Sequence, residues 1–266
     1  MIGFIVDTEF IWGFQARIVG LSKTSPSFYY PPPTTFLGAM AEVIAKEERI
    51  GENVGRKIIA KLSENQLAIG VRPINCKPIK YEDLNRIIAV KITSGVLYPN
   101  PSDLAKSFDS PARGKTILTS LDNESPKLRW FVVLKDEVLN FNGRQIHIEE
   151  DTFWKIHRIG SKESIVSVSD VKSFEPEMIS GRIKTTYSFP FKNVKILKEE
   201  SSRNWVYEVY INPFSFEDPV RDYVEGRNIL PFKIPIINRT HEEYYCLIET
   251  ETAYKFDEEV IVGWSR

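Results

Sequence analysis

PPPTTFLGAM (residues 31–40) sets three prolines directly against a helical pattern. The prolines preset an extended entry backbone, and Thr34 or Thr35 can cap the free N–H groups that begin a helix. Phe36, Leu37, Met40, Val43 and Ile44 then recur at helical spacing and predict one apolar face. Gly38 lies inside that helix, where glycine costs roughly 1 kcal/mol relative to alanine. Its presence is read as close approach by another backbone or by a ligand, a neighbouring strand first of all, so Gly38→Val should disturb folding before binding.

Working outward, residues 2–6 read as a buried strand, and 10–19 as its continuation or a bend around Gly13. Residues 20–33 are a polar, proline-rich loop, and 53–63 predict a second helix. The β-branched runs 66–73 and 86–93 predict strands. Residues 94–127, rich in Pro, Ser, Asp and Lys, read as a long irregular insertion with a hairpin at 115–121. Residues 129–135 are strand-like, and 137–148 form a hairpin whose Asn142-Gly143 suits a type I′ turn. Strands are further expected at 164–171, 204–212, 229–237, 243–249 and 259–264. Together these give an α+β fold with helices on one sheet face, and a composition shift near 175 divides it into 1–175 and a β-rich 176–266.

The 266 residues, 42% hydrophobic and 27% charged, are those of a globular protein with a sizeable core. No apolar run is long enough to span a membrane, no secretory signal is expected, and a cytoplasmic location follows. Cys76 and Cys246, far apart and outside any CxxC, supply neither a zinc site nor a disulfide framework, and no cofactor is expected. The net charge of −1 hides an uneven distribution. Residues 180–198 carry Arg182, Lys184, Lys192, Lys195 and Lys198 and no acid, whereas 241–260 carry seven acids against Lys255. A basic face on the folded chain is therefore compatible with a near-neutral total.

The nucleotide-binding, zinc-protease and serine-hydrolase signatures are absent from the sequence. His147 reads as a packed or solvated strand residue, and His241 sits in an acidic, tyrosine-rich stretch. His157 is the histidine with chemical company: WKIHRIGSKES places Lys155, Arg158 and Lys162 around Gly160. Glycine admits a phosphate to the backbone and the cations offset its charge; an ordinary exposed loop is the other reading. His157 could equally serve a metal-free ribonuclease with a lysine and a tyrosine, although no spacing selects the tyrosine. In 180–198, Tyr187, Phe189 and Phe191 interleave with cations, which suits either base stacking or a strand pair with its aromatics in the core.

Trp12-Gly13-Phe14-Gln15-Ala16-Arg17, then Tyr30-Pro31-Pro32-Pro33 through Gly38, then Gly160-Ser161-Lys162-Glu163 together resemble the CRISPR-associated "Cas-five" family of the RAMP superfamily, the archaeal type I-A branch most of all. The resemblance implies an RRM-like (ferredoxin-like) domain with a long hairpin thumb and a variable β-rich C-terminal region. It implies a noncatalytic subunit of the crRNA-guided surveillance complex, Cascade. That subunit would hold the 5′ handle of the crRNA and adjoin the Cas-seven backbone subunit and the large subunit. The 94–127 insertion is the thumb candidate, with Lys106, Arg113 and Lys115 as phosphate contacts. Tyr29 and Tyr30 are candidates for touching RNA or a neighbouring subunit; Arg17, His157, Arg158, Gly160, Lys162, Arg182 and Lys184 complete the expected RNA-binding set. One branch of the family cuts precursor crRNA with Tyr, Lys and His, so a metal-independent endoribonuclease using His157 and Lys162 is the alternative. A protein-only scaffold docking through the acidic 241–260 stretch is the third reading.

Overall fold

The computed structural model describes residues 1–16, 26–84, 87–88, 90–103, 107–109, 112–200, 204–215, 219–239 and 243–264. Arg17, Lys106 and His241 lie outside them. Strand β1 (Ile2–Phe10) alternates, with Phe4, Val6 and Phe10 in the main core and Ile5 on the opposite side. After a bend comes β2 (Gly13–Phe14). Helix α1 (Pro33–Glu47) starts with Pro33 at its first position and Pro32 as its cap, without a side-chain cap. The expected role of Thr34 or Thr35 is therefore not taken up. The prolines remove N–H groups that would need partners, and the Thr35 and Phe36 N–H groups reach the Pro32 carbonyl at 2.8 and 3.3 Å. Helix α2 (Glu52–Asn65) packs on α1 and feeds β3 (Gln66–Pro73).

The next six strands make one nested arm. They are β4 (Cys76–Leu84), β5 (Ile87–Ile88), β6 (Lys91–Thr93), β7 (Val96–Tyr98), β8 (Phe108–Asp109) and β9 (Ala112–Ser120). β4 pairs with β9 from Cys76↔Ser120 to Leu84↔Ala112, β5 with β8, and β6 with β7 at the tip. The arm thus begins at Cys76, well before the insertion expected at 94–127, and residues 115–120 belong to one strand rather than to a local hairpin. The first half of the arm, CKPIKYEDL, is too polar to announce a strand, and its partner lies far along the chain.

β10 (Lys127–Leu134) returns to the body of the molecule. A hairpin of β11 (Val138–Phe141) and β12 (Arg144–His147) follows, its Asn142 and Gly143 at φ 50° and 76°, the left-handed pair that the dipeptide predicts. Short helix α3 (Glu150–Trp154), closed by a capping box between Glu149 and Thr152, leads into β13 (Val166–Phe174). The remainder is β14 (Glu177–Thr185), β15 (Phe189–Pro190), β16 (Val194–Glu200), β17 (Trp205–Ile211), helix α4 (Pro219–Val224), β18 (Ile229–Pro235), β19 (Tyr245–Phe256) and β20 (Glu259–Val262). No helix among the described residues is long and apolar enough to cross a membrane.

The fold is α+β, with antiparallel pairing throughout the described strands. The main sheet has the order β13-β1-β10-β3; β14-β19-β16 with β20 on β19, β15-β18-β17 and β2-β9-β4 form smaller sheets. Helices cover one face of the main sheet. There Phe36 stacks on Trp130 (centroids 4.3 Å apart, planes 20° apart) and Phe4 lies 4.5 Å from Phe153. The Trp130 indole N–H donates to Thr8 Oγ1 at 3.2 Å, so the largest core side chain leaves no orphaned donor. The second face is also covered: Ile5, Ala68, Phe131 and Val133 pack under Tyr187, Tyr254 and Ile261, and Phe174 stacks on Phe256 at 3.9 Å. Gly70 sits where a Cβ would come within 2.5 Å of the Ser188 carbonyl. Apolar packing therefore runs across residue 175 on both faces of the main sheet, since Tyr210, Leu230, Phe232 and Ile234 also join the helix-side core.

Candidate nucleic-acid interface

Three sequence-distant segments converge beside the start of α1. The Trp12 indole N–H donates to the Glu163 carbonyl at 2.9 Å, the Gln15 N–H to Ser164 Oγ at 2.9 Å, and the Ser161 N–H to the Gln15 carbonyl at 3.1 Å. Gly160 adopts φ +123°, and a Cβ there would lie 2.8 Å from Ser164 Oγ and 3.0 Å from the Gln15 carbonyl. Its freedom is spent on the chain's own backbone. A cleft of about 280 Å³, lined by Gln15, Ala16, Phe28, Thr34, Gly160 and Tyr223, opens at the N-terminus of α1. It shares Thr35 and Gly160 with a groove of about 570 Å³ between α1, α2 and Arg158. The first turn of α1 holds no acid, so its partial positive charge faces this space unopposed by its own side chains.

The cations expected to serve a phosphate here are largely spent on carboxylates. Glu42 is the hub, meeting Arg158 at 2.7 Å, Lys46 at 2.9 Å and His157 at 3.9 Å. Burial alone pushes the Glu42 carboxyl up, but hydrogen bonds from Lys46 and Arg158 hold it below its ordinary value. Lys155 is bound by Glu47 and Asp151. Lys162, its side chain 83% exposed and 3.9 Å from Glu163, keeps the most accessible charge of the loop.

Gly38 lines the larger groove. Its expected close approach by a strand is absent: it faces α2, and a Cβ would meet only Ile59 Cδ1, at 4.0 Å. Gly38→Ala is therefore expected to raise stability by about 0.5–1 kcal/mol through helix propensity and a less flexible unfolded chain. Thermal unfolding checks this; a lower midpoint would restore the close-approach reading.

The two tyrosines before the prolines part company. Tyr30 is fully buried, its hydroxyl without a partner among the described residues, so its ring is core and not an exposed stacking surface. Tyr29 is half-buried, with Lys80 Nζ 3.6 Å from its ring centroid. Glu208, buried on β17, ties this loop to the root of the arm. It accepts the Tyr29 N–H at 2.9 and 3.0 Å and the Tyr210 hydroxyl at 2.8 Å, and it pairs with Lys80 at 3.4 Å. On the arm, Lys115 is half-buried opposite Tyr81, and only the backbone register of Arg113, opposite Asp83, is described.

The basic stretch 180–198 does not form a separate basic face, because its flanking strands β14 and β16 both pair with β19 from the acidic stretch. Arg182 lies opposite Glu249 and Lys195 opposite the same residue, while Lys184 meets Glu243 at 3.5 Å. Arg182 and Lys184 also line a groove of about 1000 Å³ beside the main sheet. Within it runs a network that sequence reading missed: Arg129 grips Asp7 through two 2.7 Å bonds and reaches Glu259 at 3.0 Å, which Arg72 meets at 2.8 Å. Cross-strand pairing of Asp7 with Arg129 was its available signal, once register is known. Of the interleaved aromatics, Tyr187 and Phe189 are fully buried, and Phe191 is exposed beside Tyr207.

Residues 6–228 match the family described as CRISPR-associated protein (Cas_Cas5). The chain is 28% identical over 192 residues to the CRISPR system aCascade subunit Cas5 1 of Saccharolobus solfataricus, covering 67% of this chain and 68% of that one. It is 26% identical over 188 residues to CRISPR-associated protein Cas5 3 of the same organism, again covering 67% and 68%. A crystal structure of a CRISPR protein from Archaeoglobus fulgidus is 46% identical, covers 100% of both chains and superposes with a TM-score of 0.73. The family match spans most of the chain's length, and the chain belongs to the CRISPR-associated Cas5 family.

Proposed function

We propose that this chain is a noncatalytic, cytoplasmic subunit of a type I CRISPR surveillance complex, Cascade, most similar to the type I-A branch. It grips the 5′ handle of the crRNA and caps the filament of Cas-seven subunits, next to the large subunit. The observation that carries the reading is the nested arm β4–β9, a thumb standing on a sheet of order β13-β1-β10-β3. That order, with α1 and α2 between β1 and β3 and α3 before β13, supports an RRM-like, ferredoxin-like body. Lys162 and the arm residues Arg113 and Lys115 are the proposed phosphate contacts, together with Lys106, which lies outside the described residues.

The noncatalytic part is supported by the company His157 keeps. Its ring nitrogens face Glu42 and the Lys155 carbonyl, and Lys155 itself is held by carboxylates. Filter binding with repeat-derived RNA, with the chain alone and with its Cas-seven partner, should show handle-dependent affinity. That affinity should fall with salt by about 0.7 in log–log slope per phosphate neutralised. Absence of handle dependence in both formats sinks the reading. Precursor RNA incubated with the chain in EDTA should stay intact; discrete fragments lost in His157→Ala would make the chain a nuclease.

A further inference from the structure

The outward face of the β15-β18-β17 sheet carries an exposed aromatic pair that the handle-binding reading does not use. Tyr207, Val209 and Ile211 of β17 stand opposite Lys233, Pro231 and Ile229 of β18. The alternate residues, Tyr210 with Leu230 and Phe232, point into the core. Tyr207 is 51% exposed and Phe191, just after β15, is 39% exposed, far more than the core aromatics of this chain. Their rings meet edge to face, centroids 5.5 Å apart. Lys233, almost wholly buried, sits with Nζ 4.0 Å from the Tyr207 centroid and is neutralised by Glu199 at 2.8 Å. One side of the Tyr207 ring is thus fixed by a buried cation while the ring as a whole remains half in water.

We propose that this face is a second nucleic-acid contact, on which an unpaired base of the RNA stacks against Tyr207 and Phe191 while Lys192 meets the adjoining phosphate. The proposal rests on the RNA-binding reading above and adds a site to it. Charge decides between a nucleic acid and a protein as occupant. The three strands carry one carboxylate, Glu208, which is committed to the buried junction at Tyr29, and Glu199, which reaches Lys233, is committed to it. Lys192, next to Phe191, is exposed, lies 4.6 Å from the Trp264 ring centroid and meets no carboxylate among the described residues. An exposed ring pair with an unneutralised cation next in sequence suits single-stranded nucleic acid, because every base offers a π-face and every linkage a negative charge, and Lys192 would leave the Trp264 ring to reach the phosphate. The aliphatic part of the face is two side chains, Val209 at 39% and Ile229 at 38%, as exposed as Phe191 but without a ring face to offer a base.

The test uses the full chain and an unstructured RNA containing the repeat-derived handle, in whichever format, alone or with the Cas-seven partner, binds RNA. Tyr207→Leu and Phe191→Leu, first shown to melt like the parent, are each expected to weaken binding about tenfold or more, and Tyr207→Phe to restore it, since stacking needs the ring and not the hydroxyl. Lys192→Gln should lower the salt slope by about 0.7. RNA substituted with 4-thiouridine should photocrosslink to Tyr207 or Phe191. If the parent binds and both leucine variants bind within about twofold of it without crosslinks at either position, the platform is overturned while the handle-binding reading stands. Loss of a protein partner in Tyr207→Leu with RNA affinity unchanged also overturns it, giving the face to protein docking. A parent chain that binds no RNA in either format removes both.

Discussion

Glu208→Ala should destabilise the fold by about 3–4 kcal/mol and lower the unfolding midpoint by roughly 10 °C. The side chain is buried, and three groups depend on it: the Tyr29 N–H, the buried Tyr210 hydroxyl and the Lys80 ammonium. Alanine leaves two donors without an acceptor and a cation without its partner, which costs more than never having made the contacts. Because the three groups belong to the loop before α1, to β17 and to β4, hydrogen exchange should rise at the root of the arm as well as around position 208. A loss below about 1 kcal/mol would mean that water replaces the carboxylate. The pH dependence has a definite sign. Burial raises the Glu208 carboxyl above its ordinary value, against the opposing pull of Tyr210, Tyr29 and Lys80. A raised folded-state value contributes stability below the unfolded-state value and loses it as pH rises through the folded one. Wild type should therefore lose ground to Glu208→Gln as pH rises from the unfolded-state value, about 4, through the raised folded-state one, as urea titrations at several pH values would show. The opposite trend would refute the burial account.

The second large effect is expected at Gly13. Its φ is +143°, outside what side-chain-bearing residues adopt readily, and a Cβ would stand 2.0 Å from the Thr116 carbonyl oxygen and 2.9 Å from Ile117 Cα. Both obstacles are backbone of the paired strand, which cannot rotate away. Gly13→Ala should cost about 3 kcal/mol or more, from strain plus the displacement of β9. The damage should spread in two directions from there. β9 is half of the arm, and the Trp12 and Gln15 bonds hold the Gly160 loop. Circular dichroism melts and limited proteolysis of the arm report both, and a variant melting within about 2 °C of wild type would show that the segment can shift without loss. Gly38→Ala, predicted to stabilise, is the internal control: both glycines belong to segments that carry the family resemblance, but only one lacks room for a side chain.

That contrast marks where sequence reading reaches and where it stops. The helix after the prolines, strand 66–73, the Asn142-Gly143 turn and the β-rich C-terminal part are local patterns, and each was legible. The arm begins earlier than composition suggests because strand pairing from Cys76 to Ser120 is set by register between distant segments, one of them polar. The open space at Gly38 is not legible in the sequence, because helix spacing says which face a residue occupies but not what stands opposite. The site was legible as a set of segments and less so as a set of charges. Arg158 and Lys155 read as phosphate ligands until Glu42, Glu47 and Asp151 are seen beside them. Likewise the basic 180–198 stretch loses its surplus to β19, and Tyr30 proves to be core. Tyr207 was hidden in an ordinary alternating strand, where exposure on one face carries no sequence mark.

The covering of the main sheet's second face has a consequence for how the protein is made. Phe131 and Val133 emerge from the ribosome long before Tyr254 and Ile261, which seal them. Roughly 120 residues separate Phe131 from Tyr254. At about 5–20 residues per second, Phe131 waits on the order of ten seconds for the full cover of this face, with Tyr187 arriving earlier. During that interval the nascent chain carries an apolar strand surface open to neighbours, so production of this protein should depend on translation speed and on chaperone supply more than its finished, well-covered form suggests.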